Sequence, residues 1–141
     1  MNQKDNLIEW RSQEIAKIIL RKSSFQLTIE QFPTQIFDLF ITQLDKPKHR
    51  FAVEVKSGRL FTKRVNHQLI SLVKYRDAGM INIPVLLMRI DESKEVGEID
   101  FLVVPSISNK LLIRKKFSFK PANKDNLDIF ISRINLWWDK K

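Results

Sequence analysis

Apolar positions recur along this chain with two different periods. Over residues 5–22, Leu7, Ile15, Ile18 and Ile19 return at helical spacing and predict an amphipathic helix, with Asp5 as its cap. Residues 25–30 alternate instead, as a half-buried strand does. Two apolar segments follow, 36–41 and 51–56, separated by a polar turn, and they read as a β-hairpin. Val65, Leu69, Leu72 and Val73 form the stripe of a second helix over 63–77, which Gly79 ends. Residues 83–90 are almost continuously apolar, as suits a central strand buried on both faces. Phe101–Val104 predicts another strand, and 111–119 an extended edge strand or arm. A last helix is expected over 124–138, with Leu127, Phe130, Ile131, Ile134 and Trp138 on one face. Trp137 and Trp138 are adjacent, so both cannot face the same core. The helix between strands 51–56 and 84–90 makes a crossover, hence a mixed sheet in an α/β domain.

Three charges interrupt the apolar hairpin: Asp38 in Phe37-Asp38-Leu39, then Glu54 and Lys56 in Val53-Glu54-Val55-Lys56. A charge inside an apolar strand is costly unless it is paired or binds a metal. Residues 52, 54 and 56 share one face of their strand, so Glu54 and Lys56 project together beside small Ala52. A hairpin centred near Lys46 pairs residues whose numbers sum to 92, which places Asp38 across from Glu54. Their Cβ atoms would be about 5 Å apart, and two carboxylates so placed repel. A hard divalent cation removes that repulsion.

The 141 residues indicate one domain, with ordinary globular composition. No cysteine is present, which excludes disulfides and cysteine-ligated zinc. Two isolated histidines, His49 and His67, make no zinc motif, and three glycines leave no glycine-rich phosphate loop. No apolar stretch approaches the roughly 20 residues of a membrane span, and Met1–Asp5 lacks a signal-peptide core, so a cytoplasmic protein without a membrane partner is expected. The net charge of +9 is unevenly spread. Residues 46–76 hold nine Lys or Arg and a single acid, Glu54. Lys46, Lys48, Arg59, Lys63 and Arg64 are candidate phosphate contacts, because a basic patch around a site suits a polyanionic substrate. A second basic run surrounds Arg114–Lys116, whereas 91–100 is net negative.

A strand aspartate, fifteen intervening residues and then Glu-x-Lys on the next strand resembles the signature of the PD-(D/E)XK nuclease superfamily. The chain is similar above all to small stand-alone members such as Holliday-junction resolvases and nuclease domains of bacterial defence proteins. The likeness covers roughly residues 5–105, in the order helix, strand, strand, strand, helix, strand, and leaves the final helix as an extension. No Pro-Asp dipeptide precedes the site, since Pro33 stands apart from Asp38. The resemblance implies a restriction-endonuclease-like mixed sheet flanked by helices. It implies that Asp38 and Glu54 hold Mg²⁺ or Mn²⁺ with help from the Val55 carbonyl, and that Lys56 positions the attacking water. It also nominates Glu14, on the first helix, and Gln68, on the helix after the hairpin, as accessory residues. Glu14 has an alternative as the ion-pair partner of Arg11, and Gln68 as a solvated helix edge.

The function so implied is metal-dependent hydrolysis of DNA phosphodiester bonds, with RNA left open. The alternatives are an inactive nucleic-acid-binding module and a protein-interaction subunit of a nucleic-acid-processing or defence complex. A homodimer through the Trp137–Trp138 region, or a partner protein, would supply specificity.

Overall fold

A computed structural model describes residues 3–31, 38–57, 66–71, 83–103 and 112–141. The elements are α1 (Gln3–Leu20), β1 (Leu27–Gln31), β2 (Leu39–Gln43), β3 (Phe51–Ser57), β4 (Asn66–Ser71), β5 (Pro84–Asp91), β6 (Val96–Val103), β7 (Leu112–Phe117), β8 (Lys120–Pro121) and α2 (Lys124–Asp139). Six strands form one sheet in the order β1-β2-β3-β5-β6-β8. The β3–β5 pair is parallel and its other pairs are antiparallel, so the fold is α/β with a mixed sheet and, among the described residues, two helices.

Alternation along the strands decides what each face does. Phe51, Val53 and Val55 of β3 join Leu86, Met88 and Ile90 of β5 in a single apolar cluster. Ala16, Ile19 and Leu20 of α1 and Leu127, Phe130, Ile131 and Ile134 of α2 complete that cluster, so both helices cover the same face. The other face carries Ala52, Glu54 and Lys56 of β3 with Val85, Leu87 and Arg89 of β5. Val85 and Leu87 are buried as well, so β5 is apolar on both faces, as its continuous hydrophobic run predicts.

The face that α1 buries keeps Ile19, and in part Ile15, from the expected stripe but not Leu7 or Ile18. Leu7, Trp10 and Ile18 are exposed, while Ser12, Ala16, Ile19 and Leu20 are buried. The small side chains at 12 and 16 let the helix backbone approach the sheet, which the larger apolar residues would prevent. Ser12 is satisfied there by Ser57 Oγ at 2.6 Å. The helix begins at Gln3, so Asp5 lies inside it rather than capping it. At α2 the cap is Asn123, whose Oδ1 accepts from the Asn126 amide at 2.9 Å.

The helix expected over 63–77 is corrected at its centre. Asn66–Ser71 is β4, a strand paired antiparallel with β7 in a separate two-stranded sheet. The apolar spacing of Val65, Leu69 and Leu72 fits a helix, but a ladder with Leu112–Phe117 is a tertiary contact that local spacing does not reveal. The ends of that segment, 63–65 and 72–77, lie outside the described residues. Among the described residues, no helix is long and apolar enough to cross a membrane.

Candidate functional site at the end of β2

Strand β2 pairs with β3 through Leu39↔Val53, Phe40↔Ala52 and Ile41↔Phe51. All three pairs sum to 92, the register that the hairpin reading expects. The ladder stops at Leu39, and Asp38 takes over from it with both main chain and side chain. Its amide donates to the Val53 carbonyl at 3.2 Å. Its Oδ2 accepts from the Val55 amide at 2.7 Å. Asp38 thus straddles Glu54, holding the residue on either side of it. The carboxylate replaces a backbone carbonyl as the acceptor for Val55, so β3 keeps its bond where β2 ends.

The second oxygen, Oδ1, accepts from Gln13 Nε2 of α1 at 3.0 Å. Burial pushes the Asp38 carboxyl above its ordinary value, and the Val55 amide opposes this. The charge of Glu54 pushes it up, that of Lys56 draws it down, and that of Glu9 pushes it up again. Asp38, Glu54 and Lys56 therefore form one electrostatic unit, with Glu9 at its edge. Lys56 is exposed and Glu54 half-buried.

Glu14 lies elsewhere on α1. It faces outward between exposed Trp10 and Ile18, and accepts from Lys17 Nζ at 3.0 Å. Its expected alternative partner, Arg11, instead approaches Glu92 at 3.6 Å. The α1 residues that reach Asp38 are Gln13, by contact, and Glu9, by charge. They are four residues apart and so lie on one helix face, a polar pair beside the Ser12–Ala16 stripe. Gln68 is in β4, with Lys115 as its Cα partner, rather than on a helix. Lys46 and Lys48 are exposed in the β2–β3 turn, where they line an open groove of about 390 Å³ with Pro47, His49 and Asp139. Arg59, Lys63 and Arg64 lie outside the described residues.

Two further charges occupy the site face. Arg89 is the β5 partner of Lys56, and Glu98 is the β6 partner of Arg89. Arg89 Nη1 and Glu98 Oε1 are 3.4 Å apart, and both side chains are mostly buried. The Arg89 guanidinium also stacks over Phe119, 5.3 Å from the ring centre. A row Lys56–Arg89–Glu98 thus crosses three strands next to the carboxylates. Arg89 is the lone cation within the apolar run 83–90, the same kind of signal that exposes Glu54.

The tryptophans are neither wholly buried nor wholly free. Trp138 packs partly against the core, lies over His49 at 6.1 Å between ring centres, and donates to the Arg50 carbonyl at 3.0 Å. Trp137 meets it edge-on and is capped by Lys141.

The chemistry of the donor set is that of a hard-cation ligand pair, two carboxylates whose charges act on one another. Each Asp38 oxygen accepts one hydrogen bond and keeps a further lone pair. The raised carboxyl records burial and the neighbouring Glu54 charge, which a cation would offset. Among the described residues no group of three or more His, Cys, Asp or Glu could hold a metal. Asp38 and Glu54 are the carboxylates that could serve as donors here, and water would have to complete the sphere of any Mg²⁺ they held. The chain matches no protein-family model and no curated protein.

Proposed function

We propose that the chain is a metal-dependent nuclease of restriction-endonuclease-like architecture, cutting DNA phosphodiester bonds in the cytoplasm. The observation that carries this reading is the placement of Asp38 astride Glu54, with Lys56 on the same side of β3. Asp38 and Glu54 would hold Mg²⁺ or Mn²⁺, with the Val55 carbonyl as a third donor. When bound, the metal supplies Lewis-acid polarisation of the phosphate and a more acidic water. Lys56 orients that water and offsets charge developing on the phosphoryl oxygens. Arg89, held by Glu98 across from Lys56, adds fixed positive potential to the same face. Lys46 and Lys48 bind backbone phosphates and give affinity without sequence reading. Specificity comes from DNA shape, a second copy of the chain or a partner protein.

The test is cleavage of supercoiled, linear, single-stranded and branched DNA, and of RNA, with Mg²⁺, Mn²⁺ or EDTA. Cleavage is expected only with metal. Asp38→Asn, Glu54→Gln and Lys56→Met should each lower the rate by about 100-fold or more, the scale of losing one electrostatic contact in a catalytic site. Undiminished cutting by all three folded variants would remove these residues from the site. Salt-sensitive binding without cleavage of any substrate would leave a nucleic-acid-binding module.

A further inference from the structure

Three hydrogen bonds in series join a lysine to Asp38. Lys17 Nζ donates to Gln31 Oε1 at 2.7 Å. Gln31 Nε2 donates to Gln13 Oε1 at 2.8 Å. Gln13 Nε2 donates to Asp38 Oδ1 at 3.0 Å. The chain runs from α1 to the end of β1, back to α1, and on to the residue that precedes β2.

The direction of this series is fixed at both ends. An ammonium has three donors and no acceptor, so Gln31 must turn its oxygen to Lys17. Its NH₂ then faces Gln13, which must also present oxygen, and the Gln13 NH₂ is left facing Asp38. At the far oxygen a backbone N–H, again a donor only, comes from Val55. Asp38 is thereby required to accept at both oxygens. A carboxylate meets that requirement, and an amide of the same shape does not.

We propose that Lys17 is a positioning residue for Asp38, acting through Gln31 and Gln13 to fix the orientation of the site carboxylate. The relay sets the plane of the carboxylate against Glu54 and Lys56 on β3, and Glu9 lies on the helix that carries Gln13. Its functional meaning rests on the nuclease reading, but its existence does not.

A double-mutant cycle in folding stability tests it without metal or nucleic acid. In Asp38→Asn the amide oxygen stays on the Val55 N–H, so the new NH₂ confronts that of Gln13. With Lys17 in place, reversal of the glutamines sets the Gln31 NH₂ against its ammonium and is disfavoured. Lys17→Met removes the fixed donor, and Gln31→Met cuts the series without changing charge. In either background Gln13 is released to reverse and accept from the NH₂ that D38N introduces. The loss in folding equilibrium constant caused by D38N should then be smaller by about three- to tenfold, one recovered hydrogen bond. In Lys17→Arg, which keeps a donor-only end, the D38N loss should match that in the wild-type chain.

Additive effects in both K17M and Q31M would overturn the relay, and coupling in K17M alone would reduce it to the lysine charge. A second readout holds if D38N does not fold. The Asp38 carboxyl ¹³C resonance, at one fixed neutral pH, should move in K17M and Q31M and stay in K17R and Glu14→Gln. An unmoved resonance in Q31M would defeat the proposal. Inactivity on nucleic acids with an intact cycle would instead defeat the nuclease reading and leave the relay standing.

Discussion

Asp128 joins α2 to the turn after α1, and removing its charge should loosen the helix that carries Gln13. The carboxylate accepts from Ser23 Oγ at 2.8 Å, the Ser24 amide at 2.9 Å and Ser24 Oγ at 2.6 Å, with Lys124 Nζ at 3.3 Å. Burial pushes its pKa up, but the hydrogen bonds from Ser24 and Ser23 together outweigh burial and bring it down to about 2. A fall from 3.8 to about 2 corresponds to about 2 kcal/mol at 1.36 kcal/mol per pH unit. The side chain is 22% exposed, and solvent screening reduces this to about 1–2 kcal/mol. The folded-state pKa lies below the unfolded one, so this stability is complete above pH 3.8 and is lost as pH falls through 3.8 toward 2. Asp128→Asn keeps the shape and most of the contacts but loses the charge. Urea denaturation at pH 7 should show the variant about 1–2 kcal/mol less stable, with melting lowered by about 3–8 °C. The gap should narrow steadily in a series from pH 5 to pH 3. A gap that is equal at pH 7 and pH 3 would refute the charge as its source, and no gap at pH 7 would refute the clamp.

Two other perturbations probe the packing that holds the site. A Cβ at Gly97 would lie 2.8 Å from Ile90 Cδ1, 3.2 Å from the Arg89 carbonyl and 3.3 Å from Ile19 Cδ1. Gly97→Ala should therefore cost about 1–3 kcal/mol in chemical denaturation, because α1 and β5 must both give way. Asn135→Ala removes the buried amide that bonds reciprocally with Gln43 and accepts from His49 Nδ1. It should cost about 1–3 kcal/mol by the same measurement and free the β2–β3 turn from the end of α2, seen as faster amide exchange at residues 45–50.

The placement of the candidate residues at β2 and β3 was legible where a charge broke an apolar segment. Asp38, Glu54 and Lys56 stand out because their neighbours in sequence are mostly apolar, and the symmetric turn between the strands gave their register. Strand β5 was legible for the converse reason, since an uninterrupted apolar run has little choice but a sheet centre. The same logic applied to residues 83–90 isolates Arg89. The contribution of α1 was harder to read. Its buried face includes Ser12 and Ala16 beside Ile19 and Leu20, while Leu7, Trp10 and Ile18 face outward, so large apolar residues alone do not mark it. Once the face is misassigned by a rotation of about one residue, roughly 100° around the axis, Glu14 looks inward and Gln13 goes unnoticed. β4 was missed because strand pairing is non-local. Nothing near Gln68 announces that Leu112–Phe117, more than forty residues away, supplies its ladder.

Asp38 and Glu54 stand the same number of residues from the middle of their turn, and this symmetry has a consequence for tracing kinship. Lengthening or shortening the segment between Gln43 and Phe51 leaves Leu39 opposite Val53, so the carboxylates stay together while their separation in sequence changes. What descent must preserve is a balance of two arms about a hinge point, not a count of residues between two letters. A pattern written with a fixed gap would pass over distant kin with a longer turn. One written as equal steps out from the turn, ending in Asp on one arm and Glu-x-Lys on the other, would find them.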